Sequence, residues 1–119
     1  MSQRNIGHVE IPSRNVEESG RFYHELFGWK ITPLPELNYC VWEAAGGSRG
    51  GFLALKGELK IGDVQIYVDS DDVDADLQRA QALGGTLVQP ATQIPSGWYG
   101  LFKDPTGNLI GLFKRPPRP

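Results

Sequence analysis

Residues 8–33, HVEIPSRNVEESGRFYHELFGWKITP, decide how this chain is read. Their pattern begins again 57 residues later, at 65–90, QIYVDSDDVDADLQRAQALGGTLVQP. With no gap, Ser13 falls on Ser70, Val16 on Val73, Leu26 on Leu83, Gly28 on Gly85 and Pro33 on Pro90, and Ile31 falls on the similar Val88. The identities are few, but Val and Leu stand at helix positions while Gly and Pro stand at boundaries. The shift is close to half of the 119 residues. The chain therefore reads as one domain over 1–119 made of two internal repeats, module one at about 1–57 and module two at about 58–114, with a tail at 115–119.

Each repeat opens with an alternating strand. Gly7, Val9 and Ile11 point one way, and His8 and Glu10 the other. In the second repeat Val64, Ile66 and Val68 oppose Gln65 and Tyr67. The apolar side should pack on a helix and the polar side should face water or a cavity. A helix follows each strand. Ser13 or Asn15 can cap the first, Glu17 and Glu18 suit its positive end, and Gly28 stops it. Val16, Phe22, Tyr23 and Leu26 are expected as its buried stripe. The second helix starts in Asp71, Asp72 and Asp74, buries Val73, Leu77, Ala80 and Leu83, and stops at Gly84-Gly85. The acid run is read as capping and not as calcium binding, because an EF-hand loop needs Gly at its sixth position and Glu at its twelfth. Three strands follow each helix: Trp29–Leu34, Tyr39–Ala44 and Gly51–Leu55, then Thr86–Gln93, Gly97–Lys103 and Asn108–Lys114. The turn at Asp104-Pro105-Thr106-Gly107-Asn108 is a strong hairpin signal.

Composition excludes several classes. The net charge of −2 argues against a nucleic-acid partner. No apolar run approaches the ~18 residues of a membrane helix, so no membrane partner is expected. The lone Cys40 cannot form an intrachain disulfide and fits a reducing compartment, so the expected location is cytoplasmic. The stretch from Gly46 to Gly51 lacks the Lys-Ser/Thr ending of a phosphate loop and reads as a flexible hairpin or cavity-edge loop, with Arg49 its one cation. The proline-rich tail from Arg115 reads as a frayed end.

Two βαβββ repeats carrying these residues resemble the vicinal oxygen chelate superfamily, the group of glyoxalase I, bleomycin-resistance proteins and extradiol dioxygenases. The resemblance rests on His8-Val9-Glu10-Ile11-Pro12, on Phe22-Tyr23-His24-Glu25-Leu26-Phe27-Gly28-Trp29, on Val73-Asp74 with Ala82-Leu83-Gly84-Gly85, and on Phe102-Lys103-Asp104-Pro105-Thr106-Gly107-Asn108. It implies an α+β fold in which two tandem βαβββ modules curl around a shared cavity. In glyoxalase-like members a divalent metal sits at the cavity base, with one ligand from the first and one from the last strand of each module. Small members usually form homodimers, and a homodimer is expected here.

His8 and Gln65 match the two first-strand ligand positions. The last-strand position of module two falls on Gly111, and Gly51–Leu55 of module one holds no acid. One imidazole and one amide are a poor site for a divalent ion, so neither a metal nor another cofactor is expected. Glu10 could complete a set with His8 and Gln65. It reads more simply as a rim residue or a hydrogen-bond partner of His8 or a ligand. Trp42, Phe52, Trp98, Tyr99, Phe102 and Phe113 fall on middle or last strands, some facing the cavity and the rest building the core. Parity puts Leu109 and Phe113 on the side of Gly111. The expected binding set is His8, Glu10, Trp42, Phe52, Gln65, Tyr67, Tyr99, Phe102, Leu109 and Phe113, around a small, partly flat organic molecule. No catalytic residue is assigned. The competing readings are a metal-dependent lyase, isomerase or dioxygenase using His8, Glu10 and Gln65, and a dimeric interaction module.

Overall fold

In the computed structural model, which describes residues 3–57 and 59–116, the serine pair that anchors the repeat does the same work twice. The Oγ of Ser13 accepts from the backbone N–H of Asn15, and that of Ser70 from Asp72, each at 3.1 Å. Asn15 and Asp72 then cap the two helices, accepting from the N–H groups of Glu18 and Ala75 at 3.0 Å. Ser13 also meets Ser19 Oγ, and Ser70 donates to Asp76, each at 2.6 Å.

The strand, helix and three strands of the first repeat are β1 (Ile6–Ser13), α1 (Val16–Phe27), β2 (Lys30–Leu34), β3 (Tyr39–Glu43) and β4 (Arg49–Ala54). A single 3-10 turn at Pro35–Leu37 links β2 to β3. The second repeat gives β5 (Gln65–Asp69), α2 (Val73–Ala82), β6 (Thr86–Ile94), β7 (Gly97–Lys103) and β8 (Leu109–Lys114). The chain divides into two compact units. One comprises His8–Gln65; the other runs from Ile66 onward and takes in the residues up to Gly7. In the first unit the strand order is β2-β3-β4-β1, with β1 parallel to β4 and the other pairs antiparallel. The second repeats this as β6-β7-β8-β5, with β5 parallel to β8. In each module the last strand thus lies beside the first. Among the described residues no helix is long and apolar enough to cross a membrane.

Each helix packs on one face of its own strands. In the first unit Val16, Cys40, Trp42 and Phe52 form the buried cluster, with Val9, Ile11, Tyr23, Trp29 and Ile31 against it. In the second, Val73, Leu77 and Leu112 are buried, with Val68, Ala91 and Phe102 alongside. The contact line on α1 runs through Val16, Gly20 and Tyr23, and on α2 through Val73, Leu77 and Ala80. These are the same three positions at the same shift. Bulk is exchanged across the interface. Gly20 lets α1 sit on Ile31, whose Cγ2 would lie 2.9 Å from an added Cβ. In module two the helix carries Leu77, and the sheet makes room with Gly100, where an added Cβ would lie 2.7 Å from Leu77 Cδ1.

This line corrects the expected helix stripes. Phe22 and Leu26 are 57% and 58% exposed, and Leu83 lies beyond α2 at 65%. The close approach at Gly20 draws the 16–20–23 line onto the sheet and turns 22 and 26 outward. A second correction concerns Gly46–Gly51. Its last residues are not a mobile loop: Gly50 and Gly51 are buried inside β4. A Cβ at Gly50 would strike the Val9 carbonyl, and one at Gly51 would strike the Tyr39 hydroxyl. Of the expected frayed tail, Pro117–Pro119 lie outside the described residues.

Candidate functional site

On the face of module one opposite α1, three polar side chains converge. His8 and Glu10 are two residues apart on β1 and so point the same way. His8 Nε2 lies 2.6 Å from Glu10 Oε1. Tyr39, at the start of β3, donates its hydroxyl to the same Oε1 at 2.7 Å and lies 3.0 Å from His8 Nε2. β4 stands between β3 and β1, so Tyr39 must reach across it, roughly 10 Å in two interstrand spacings. Gly51 is what permits this. It is the register partner of both Glu10 and Val41, and its missing side chain leaves the space that the Tyr39 phenol fills. The other oxygen of the carboxylate, Glu10 Oε2, is buried and has no hydrogen-bond partner among the described residues.

Module two makes a related arrangement. Tyr67 of β5 stands where Glu10 stands on β1, and its register partner is Gly111. A Cβ on Gly111 would collide with the Tyr67 ring. In both modules, then, the fourth-strand residue opposite the first strand's second polar position is glycine, and a tyrosine lies over it.

The expected binding residues divide by face. His8 and Glu10 come together, and Gln65 opens β5, half-buried. Tyr67, Tyr99, Leu109 and Phe113 share the face of module two turned away from α2, as the pairings Tyr67–Gly111, Tyr99–Phe113 and Lys103–Leu109 require. Trp42, Phe52 and Phe102 are corrections. Phe52 is fully buried between Tyr23 and Cys40 in the helix-side core. Trp42 stacks on Trp29 at 4.0 Å in the same core. Phe102 packs in the core under α2. Their strands alternate, and these three fall on the helix parity. Cys40 is buried, and burial, then the charge of Glu17, pushes its thiol up and leaves it a core residue. His24 on α1 is exposed and lies 2.9 Å from the Trp29 carbonyl. Sequence reading missed Tyr39. Its one signal was a glycine in a strand interior, which marks a close approach.

Residues 5–112 match the family model described as Glyoxalase/Bleomycin resistance protein/Dioxygenase superfamily. The chain belongs to that superfamily. A glyoxylase-like domain-containing protein of Didymella fabae is 25% identical over 122 residues, covering 93% of this chain and 94% of that protein. A protein of Mycobacterium tuberculosis is 26% identical, and the chain spans only 44% of its length. Among solved structures, a methylmalonyl-CoA epimerase from Mycobacterium tuberculosis gives a TM-score of 0.72 at 19% identity, covering 93% of this chain and 87% of that one. A superfamily member from Vibrio splendidus gives 0.65 at 17%, covering 92% and 97%. These structures share the superfamily's mixed α+β fold. The metal that glyoxalase-like members hold does not fit the residues present. The two fourth-strand positions, 51 and 111, carry no side chain, and tyrosines occupy the space a ligand there would need. Among the described residues, no group of three or more His, Cys, Asp or Glu side chains comes together to hold an ion.

Proposed function

We propose that this superfamily member binds a small organic molecule on the polar face of module one, through His8, Glu10 and Tyr39 and without a metal ion. The observation that carries the reading is the Tyr39 phenol lying over Gly51. It ties Glu10 and His8 into a hydrogen-bonded cluster where a metal-binding member would need open ligands. A cluster fixed from two strands by bonds of 2.6–3.0 Å is a preorganised polar anchor. A few such groups set the orientation of a ligand whose remaining surface is apolar.

The test is elemental analysis of tag-free protein together with titration of zinc and nickel. Well under one equivalent per chain is expected, and His8→Ala should change the binding of organic fragments without releasing metal. The metal-dependent enzyme reading demands the opposite. One tight equivalent, lost in His8→Ala or Glu10→Ala, would make His8, Glu10 and Gln65 its ligands and overturn the proposal.

A further inference from the structure

Glu10 Oε2 is a buried carboxylate oxygen with no hydrogen-bond partner among the described residues, and from this we infer the class of ligand: one whose head group donates a hydrogen bond, an alcohol or an ammonium, and not a carboxylate or phosphate. The inference rests on the binding site proposed above. An ionised carboxylate only accepts. The His8 nitrogen 2.6 Å from Glu10 Oε1 therefore carries its proton toward that oxygen, and the Tyr39 hydroxyl donates to the same atom. Both donors are spent on Oε1. The buried acceptor left without a partner among the described residues is Oε2.

A buried carboxylate oxygen without a donor is expensive, and native proteins resolve such atoms with a ligand, a water or a proton. An N–H or O–H from a ligand completes Glu10. An anion placed there meets a bare oxygen of its own sign. Cations on these strands stand beside an acid of their own. Lys30 and Arg49 flank Glu43 in register, two residues beyond Gly51 along β4.

Benzylamine, benzyl alcohol and benzoate test this, since they share a ring and differ in the head. Binding is followed by the shifts of the His8 ring protons and by calorimetry. The amine and the alcohol are expected to bind at least ~10-fold more tightly than benzoate, the scale of one hydrogen bond to a charged group. Glu10→Gln supplies the decisive arm. Its amide oxygen can stay on His8 and Tyr39, which turns the NH2 to the place of Oε2, so the order of benzylamine and benzoate should invert. Tyr39→Phe keeps the ring over Gly51 and is expected to hold or tighten the amine. If the Tyr39 hydroxyl were instead the group that held an anion, this variant would lose benzoate. A native preference for benzoate, or no inversion in a folded Glu10→Gln, overturns the donor rule and leaves the site in place. No movement of the His8 signals with any of the three at millimolar concentration overturns the donor rule and the site together.

Discussion

Gly51 and Tyr39 act as one unit. The glycine has no conformational duty, since its backbone is ordinary strand; it is there so that a phenol can cross β4. Gly51→Ala is therefore expected to displace Tyr39 and cost about 1–3 kcal/mol in denaturant unfolding, the usual penalty for overpacking a closed contact. Adding Tyr39→Ala should recover part of that loss. The coupling in this double-mutant cycle should reach at least ~0.5 kcal/mol, and additive effects would show that the two residues do not share the space. Little of this was legible in sequence. His8 and Glu10 could be placed on one face by alternation alone. Tyr39 could not, because nothing local says that a side chain two strands away will fold over a glycine. A Gly-Ser-Arg-Gly-Gly run reads as a loop until β4 is seen to run through it, beginning at Arg49.

At the scale of elements, most strand ends were readable because turn residues fix them chemically. Gly97–Lys103 was found at its true bounds, and the other strands differ by a few residues at most. The helix faces were less legible. A 3.6-residue period cannot tell a 16–20–23 line from a 16–22–23–26 stripe when the closest contact is made by a glycine. Leu26→Glu is accordingly expected to change stability by no more than ~0.5 kcal/mol, as an exposed site should. A loss above ~2 kcal/mol would restore Leu26 to the core. The hairpin between β7 and β8 carries its own pH dependence. Asp104 is held below the ordinary carboxylate value, chiefly by the Asn108 side-chain amide and then by backbone N–H groups of Asn108, Gly107 and Thr106. Because the folded value is the lower one, this support is complete above about pH 4 and fades as the pH falls through the depressed value. Thr106 and Gly107 amide shifts should titrate with a midpoint below ~4, and Asp104→Ala should abolish that titration.

For the whole molecule, the duplication was legible because it is written in residues with fixed jobs: a serine, a cap, a terminating glycine. The ownership of the N-terminal segment was not. Residues up to Gly7 belong with the unit that begins at Ile66. Asn5 accepts the Asp69 N–H at 2.8 Å, Arg4 pairs with Asp76, and the Asp76 carboxylate holds the guanidinium charge still more firmly. No pattern within the segment announces a partner so far along the chain. Deleting residues 1–5 should therefore speed hydrogen exchange at the Asp69 amide while leaving the Leu55 amide, bonded to Ser13 in the other unit, unchanged. Equal loss at both would mean that the segment supports the two units alike. The same pairing sets a schedule for synthesis. Arg4 is translated 72 residues before Asp76. At about 5–20 residues per second that is a delay of roughly 4–14 s. During that interval the His8–Gln65 unit can be completed, while the few residues ahead of it must stay unclaimed. Their partner strand and helix leave the ribosome only after that unit, so this segment is fastened later than the residues that follow it.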